Sequence, residues 1–174
     1  KTSDSKILSI CGNSYTSVFR GTPMLLQLTI IHYGLPTLLG LKISIFVSGI
    51  IAFSLNSGAY VSEIIRAGIN AVDKGQTEAA KVLGIPLVLR MKDIILPQAL
   101  RNVLPALVNE IINLIKESAL ISTIGGMDIM RRAQAVSAET YSYFTPMITA
   151  AITYYIMVMI VSAFAKILER RIIL

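Results

Sequence analysis

The chain has 174 residues, of which 54% are apolar and only 15% are charged. Soluble domains carry about 25% charged residues. Because the charges here are missing from long windows, the composition indicates an integral membrane protein and argues against a soluble domain. The net charge of +6 does not indicate a nucleic-acid partner, since the basic residues flank the apolar runs. A single cysteine, Cys11, excludes a disulfide within the chain.

Four apolar windows predict an all-α, polytopic membrane bundle that forms one domain over residues 1–174. A helix needs about 20 residues to cross a bilayer. The windows near 43–62 and 144–165 meet this length without a charge. The window near 24–41 contains Gly34 and Pro36, which predict a kink. The window near 99–121 carries charges, so part of its surface must face protein or water.

The basic residues orient these spans, because Lys and Arg are enriched in cytoplasmic loops. The opening, the loop at about 66–97 and the C-terminal tail hold most of them, whereas the 122–143 connection holds few. We therefore expect the 66–97 loop and the C-terminus to be cytoplasmic. The opening "KTSDSKILSI" has no initial methionine and is too interrupted for a secretory signal, so we expect that a longer polypeptide precedes it.

The 66–97 loop contains the polar stretch "GQTEAAKVLGIPLVLRMKDIILP". Thr77 can cap a short helix, and Gly84 suits the left-handed position after a helix. Pro86 suits the first turn of a second short helix, and Pro97 predicts the next break. On these residues alone, the stretch could equally be an amphipathic helix that lies on the bilayer.

The spacing in this loop resembles the EAA motif of permease subunits of ABC importers. That motif reads E-A-A, three residues, G, nine residues, I, one residue, L and P. The matching positions here are Glu78, Ala79, Ala80, Gly84, Ile94, Leu96 and Pro97. The segments "FRGTPMLLQL", "SLNSGAYVSEIIRAGI" and "LPQALRNVLPALVNEIINLIKESAL" resemble the polar amino acid uptake subfamily, which includes glutamine and histidine permeases.

The resemblance implies a type I, MetI-like transmembrane domain in the bacterial inner membrane. It implies a non-catalytic subunit that translocates a polar amino acid, with glutamine favoured, and that couples to a separate ATPase through the EAA loop. ATP and Mg²⁺ would then belong to the ATPase, and this chain would bind no cofactor. The other implied partners are a second permease subunit, either a copy or a paralogue, and an extracytoplasmic amino acid binding protein. Such permeases usually have five spans, so an N-terminal span is expected to be missing.

Polar residues inside the predicted spans cost about 2.5–3.5 kcal/mol each on insertion scales, so they need a reason. The candidates for a substrate path are Asn56, Ser57, Asn109, Glu110, Asn113, Lys116 and Glu117. Asn109, Asn113, Lys116 and Glu117 share one helical stripe, and Glu110 lies beside it. The stripe could line a path for a zwitterion, or it could join helices through polar contacts. Glu63 and Arg66 are spaced for a local ion pair.

The same residues bear on other classes of function. The sequence contains no G-x-x-x-x-G-K-[ST] motif, and one histidine, His32, gives neither a metal cluster nor a Ser–His–Asp set. An ion- or proton-driven carrier without an ATPase is the main alternative, with Glu110 and Glu117 as its proton relay. A membrane assembly factor that transports nothing is a further alternative. The EAA spacing favours neither of them.

Overall fold

The computed structural model describes residues 6–173, with side chains described as far as Leu168, and the regular structure of this part is entirely helical. This confirms the all-α fold class. The elements are α1 (Lys6–Gly21), α2 (Met24–Thr29), a π-helical turn π1 (Ile30–Gly34), α3 (Leu35–Leu39), α4 (Ile45–Asn70), α5 (Lys74–Val82), α6 (Leu87–Leu89), a second π-helical turn π2 (Arg90–Ile95), α7 (Leu96–Glu117), a 3₁₀ segment (Ser118–Ile124), α8 (Ile129–Thr140) and α9 (Phe144–Ile173).

Both π-helical turns lie immediately before a proline-containing α-helix. Pro36 and Pro97 each occupy the second position of the helix that follows, α3 and α7. A proline removes one backbone donor and crowds the preceding turn, and a wider π turn is one way for a helix to accommodate that defect. The predicted break at Pro97 is therefore wrong, because the chain continues as one helical rod from α6 through π2 into α7. The predicted kink in the first window corresponds to π1.

α4 is the central helix, and it packs against α1, α2 and α7. Its buried positions are mostly small, including Ala52 and Ala59. Small residues let helix backbones approach closely in a membrane. A β-carbon added to Gly49 would meet Ile121 and one added to Gly68 would meet Val103. α4 and α7 therefore run antiparallel, with the 66–97 loop joining one pair of ends.

At the opposite end of α4, an apolar cluster joins α2, π1, α4 and the 3₁₀ segment. Its buried members are Met24, Leu28, Ile31, Ala52 and Ile124. Gly125, with φ +89°, ends the 3₁₀ segment. Asp128 then caps α8 by accepting from the Met130 and Arg131 backbone N–H groups at 3.2 and 2.9 Å.

Two helices, Ile45–Asn70 and Phe144–Leu168, are long and apolar enough to cross a membrane. They coincide with the two uncharged windows. The apolar helical run Met24–Leu39 is shorter, and α7 is more polar, so spans at 24–41 and 99–121 stay predictions. The sequence does not predict α1, because this segment contains no long apolar window. It is an amphipathic helix that packs against α4.

Candidate functional site: the coupling loop and the polar face of α7

The helix cap at the start of the EAA loop is not the predicted Thr77. The cap is Asp73, whose Oδ1 accepts from the Gly75 backbone N–H at 2.6 Å. α5 therefore starts at Lys74, and Thr77 and Glu78 lie within the helix. Thr77 is the expected cap because it directly precedes the E-A-A residues, and because a start at Asp73 puts Gly75, a weak helix former, inside the helix. The prediction is wrong because Asp73 caps the helix despite this glycine.

The glycine turn of the loop is a Schellman motif. The Ile85 N–H donates to the Ala80 carbonyl and the Gly84 N–H donates to the Lys81 carbonyl, both at 3.0 Å, which is the paired pattern that defines this motif. Gly84 has φ +71°, a left-handed conformation that disfavours residues with a β-carbon. The predicted role of Gly84 in ending the first short helix is confirmed.

On both sides of this turn, the loop presents apolar side chains to its surroundings. We call them the loop tip, and they are Val82, Leu83, Leu87 and Val88, with exposed fractions from 62% to 88%. Ala80, in contrast, is 2% exposed, and its helix α5 packs against π2. Glu78, Ala79, Leu96 and Pro97 are exposed, and Ile94 is half-buried. The EAA residues thus divide between a packed face and an accessible one.

Three of the predicted path residues come together at the far end of α7. Asn113, Lys116 and Glu117 line a cavity of about 300 Å³ with Leu120. Asn109 is exposed one turn earlier on the same helix, whereas Glu110 is buried. An amide, an ammonium and a carboxylate on one wall offer complementary groups for both ends of a zwitterion.

Asn56 lies elsewhere, in a buried amide network. Its Nδ2 donates to the Phe19 carbonyl and to Gln27 Oε1, both at 3.0 Å. Gln27 Nε2 in turn donates to the Phe19 carbonyl at 2.8 Å and to both oxygens of Thr22 at 2.8 and 3.0 Å. The network ties the turn between α1 and α2 to α4, which corresponds to the helix-joining alternative for Asn56. Ser57 is half-buried beside it, and its path role stays a prediction.

His32 also joins two elements. Its Nδ1 lies 2.9 Å from the Oγ of the fully buried Ser48. Ser48 Oγ donates its hydrogen to the Ser44 carbonyl at 3.0 Å, so we assign the hydrogen of the shared contact to His32 Nδ1, which donates to Ser48.

At the loop end of α4, Glu63 accepts from Arg66. The two bonds measure 2.9 Å from Nε and 2.5 Å from the terminal nitrogen, which confirms the predicted local ion pair. Arg20 at the end of α1 joins this pair without a signal in the sequence. It lies 3.8 Å from the same carboxylate and 5.3 Å above the Tyr60 ring. No sequence pattern joins α1 to α4, so only the fold could reveal this contact.

Comparison with known proteins identifies the family. A family model described as "Binding-protein-dependent transport system inner membrane component" matches residues 2–174. The "Putative glutamine transport system permease protein GlnP" of Rickettsia conorii is 62% identical over 99% of this chain and 79% of its own length. The "Arginine transport system permease protein ArtQ" of Bacillus subtilis is 57% identical over 90% of this chain and 72% of its own length.

Solved structures agree with the sequence comparisons. A chain from the "Crystal structure of an amino acid ABC transporter with histidines" has a TM-score of 0.91 and 46% identity, over 97% of this chain and 78% of that one. A chain of the inward-facing MetNI methionine ABC transporter has a TM-score of 0.79 at 16% identity, over 99% of this chain and 79% of that one, and therefore shares the fold.

These matches confirm the MetI-like type I fold class and do not favour the ion- or proton-driven carrier. The family's members are transport subunits of the inner membrane, and their systems include an ATPase and a binding protein. The chain belongs to the family of binding-protein-dependent transport system inner membrane components and is a permease subunit of an amino acid ABC importer.

Proposed function

We propose that this permease moves glutamine across the bacterial inner membrane and that a separate ATPase drives it by docking on the EAA loop. The arrangement of the loop is the observation that supports its coupling to an ATPase. The E-A-A helix and the I-x-L-P segment meet through the Gly84 turn, and the loop tip stands exposed between them. An exposed apolar projection on a polar loop suits insertion into a partner's cleft.

The same loop offers a mechanical route to the spans. α5 packs against π2, and π2 continues into α7 without a break. A displacement of α5 by the ATPase would therefore be transmitted through π2 to α7, the helix that carries Asn113, Lys116 and Glu117. The spans would alternate access around this polar site.

The remaining partners follow from the same mechanism. ATP and Mg²⁺ are held by the ATPase, and this chain binds no cofactor of its own. A second permease subunit, a copy or a paralogue, completes the path. The EAA loop and the C-terminus face the cytoplasm, which leaves the 122–143 connection outside as the docking surface for the binding protein.

The cavity beside Glu117 supports the substrate assignment. In it, the Lys116 ammonium would pair with the substrate carboxylate, and the Glu117 carboxylate would pair with the substrate ammonium. Asn113 would position the substrate through a hydrogen bond. Asn109 and Glu110 remain candidates for neighbouring positions. Glutamine is favoured over other substrates because the Rickettsia relatives that share about 60% identity are named glutamine permeases.

Arginine is the second candidate. It is favoured by the two carboxylates of α7, Glu110 and Glu117, which are seven residues apart and hence lie on the same side of the helix. A second carboxylate would suit a guanidinium better than an amide. The named arginine permease of Bacillus subtilis is also 57% identical to this chain.

The test is ATP hydrolysis by the permease reconstituted with its ATPase and binding protein, measured with each polar amino acid in turn. We expect one amino acid to stimulate hydrolysis several-fold. Gly84→Asp should abolish this stimulation, and Gly40→Asp is the matched control. Gly40 has a similar φ of +66°, and no atom would lie within 4 Å of an added β-carbon. It lies at the C-terminal end of the first apolar window and not in the EAA loop. Loss in both variants, or in neither, would remove the coupling role.

The substrate assignment is tested separately in the same vesicles. Glu117→Gln should weaken the apparent affinity for the stimulating amino acid, while Glu139→Gln, an exposed acid on α8, should not. Stimulation by arginine instead of glutamine would replace the substrate and leave the coupling mechanism in place.

A further inference from the structure

A long apolar groove follows the outer side of the α4–α7 contact, next to the EAA loop. Its volume is about 550 Å³. It is lined by Ile65, Ile69, Lys92, Leu96, Leu100 and Val103, among others. None of the predicted path residues contributes to it, so the groove is separate from the proposed substrate cavity.

The groove results from one close contact between helices. Val103 packs against Gly68, where a β-carbon could not fit, so the floor, formed by Ala99 and Val103, is almost fully buried. Larger side chains on both sides are only partly covered: Ile65 and Leu100 keep 44% and 49% of their surface exposed. The groove therefore has a buried floor and is open along one side.

The groove has the length of one leaflet's hydrocarbon region. From Leu96 to Leu107, the last lining residue along α7, the helix advances about 16 Å at 1.5 Å per residue. This is about half of the 30 Å hydrocarbon thickness of a bilayer. An acyl chain that entered at the loop end would follow the groove towards the middle of the membrane.

Within the described part of the chain, Lys92 is the one charged residue that lines the groove, and it lies at the loop end. Lys92 is exposed, and among the residues that the structure describes it forms no ion pair with a carboxylate. An acyl chain in the groove would place its headgroup at this level. The ammonium of Lys92 would then neutralise a lipid phosphate that carries a net negative charge.

The apolar surface also continues across α4. Ile65 and Ile69 line a second groove, of about 340 Å³, between α4 and α1. Polar residues, including Thr16, Ser62 and Arg66, also line this second groove, so it offers a second acyl chain a less apolar surface than the α4–α7 groove does. A second copy of this chain is a poorer occupant, because the chain has a net charge of +6 and its basic residues concentrate near this end.

We propose that the α4–α7 groove is a binding site for an anionic phospholipid of the leaflet next to the EAA loop, with an acyl chain along Leu96–Leu107 and the headgroup at Lys92. The bound lipid fills the surface behind π2 and Pro97. It thereby supports the segment through which the loop joins α7.

The absence of tryptophan from the 174 residues gives a direct test with introduced reporters. Leu100→Trp and, independently, Ile65→Trp place an indole on either side of the groove. Phe164→Trp, on the exposed surface of α9, is the control for ordinary lipid contact. The permease is reconstituted into phosphatidylcholine vesicles that contain brominated phosphatidylglycerol or brominated phosphatidylcholine at equal mole fraction, and quenching of tryptophan fluorescence is measured.

We expect the anionic lipid to be preferred about fivefold at the groove reporters, the effect of one lysine at an anionic headgroup, and not at the α9 control. Lys92→Gln should remove the preference, whereas Lys81→Gln, a basic residue of α5 that does not line the groove, should retain it. Equal quenching by both lipids at both groove reporters would overturn the proposal. Absence of quenching by either lipid, with the α9 reporter quenched, would show that protein covers the groove and would overturn it as well.

Discussion

Gly84 in the EAA loop and Gly68 in the α4–α7 interface are both glycines that the fold needs, but for different physical reasons. Gly84 has a left-handed backbone, and no other atom would lie within 4 Å of an added β-carbon. Gly68 has an ordinary helical backbone, yet an added β-carbon would clash with Val103 and approach the Ala99 carbonyl oxygen to 3.3 Å. The loop is thus specified by backbone conformation, and the interface is specified by the space between helices.

The largest loss of stability is expected where space is the constraint. Gly68→Ala should lower the stability of the permease by about 1–3 kcal/mol, because the stiff Val103 side chain cannot move aside without shifting a helix. Thermal unfolding of the detergent-solubilised complex measures the effect. Gly21→Ala is the control, since nothing lies within 4 Å of its added carbon.

A second variant identifies the cause of that loss. Val103→Ala removes the clashing methyl groups, so the double variant Gly68→Ala/Val103→Ala should recover part of the loss caused by Gly68→Ala. The two substitutions touch the same contact and should therefore be non-additive. Additive losses would show that the conformation of Gly68, and not its close packing, is what matters.

A loss of comparable size is expected in the buried amide network between α4 and the α1–α2 turn. Asn56→Ala should cost about 1–3 kcal/mol, because it leaves Gln27 Oε1 without its donor in a buried site. Asn13→Ala, at an exposed position, should cost much less in the same unfolding measurement. A loss in Asn56→Ala no larger than that of Asn13→Ala would mean that water replaces the missing donor.

The two regions also differ in how well the sequence predicts them. The glycine turn at Gly84 and the ion pair of Glu63 with Arg66 follow from local spacing, and the EAA pattern identifies the family. The clash at Gly68, the contact of Arg20 with Glu63 and the Asn56–Gln27 bond all join segments distant in sequence. A single sequence contains no signal for such pairs, because many arrangements of apolar helices satisfy the same local preferences.

Local prediction is wrong where two local signals compete. Thr77 and Asp73 can both cap a helix, and in the structure Asp73 caps a helix that starts at Lys74, even though Gly75 follows. Pro97 predicts a break because proline lacks a backbone N–H donor, but the π turn accommodates the proline within a continuous helix. On α7, the stripe of Asn113, Lys116 and Glu117 follows from helical periodicity. Periodicity alone does not show that Glu110 is buried while Asn109 stays exposed.

A smaller loss of stability is expected at Gly84, where only the backbone is constrained. A β-carbon in the left-handed region costs about 1–2 kcal/mol. Asn tolerates this region better than other non-glycine residues, so the loss should rise from Gly84→Asn to Gly84→Ala to Gly84→Val. The same thermal unfolding measurement gives the order. If Asn and Val were equally tolerated, the Schellman turn would not require a left-handed residue, and the contrast with Gly68 would lose its basis.

The smallest effects are expected in the ion-pair cluster that joins α1 to α4. Arg66 makes two hydrogen bonds to Glu63, whereas Arg20 approaches the carboxylate only to 3.8 Å. Both arginine side chains are nearly half exposed, with 44% and 45% of their surface accessible, so water and salt screen them. We expect Arg66→Gln to lower the unfolding temperature more than Arg20→Gln, and both shifts to shrink in high salt.

The ranking within this cluster separates local from long-range contributions. Arg66 and Glu63 lie on one helix, so their pair stabilises α4 itself, whereas Arg20 joins α4 to a different helix. If Arg20→Gln is the more damaging change, then the link between α1 and α4, with its contact to the Tyr60 ring, outweighs the geometry of the carboxylate bonds. Arg20→Lys decides between the two contacts. A lysine keeps the charge near Glu63 but loses the planar guanidinium that stacks on an aromatic face. A stability between those of the unsubstituted chain and the Arg20→Gln variant would therefore assign the remaining difference to the ring.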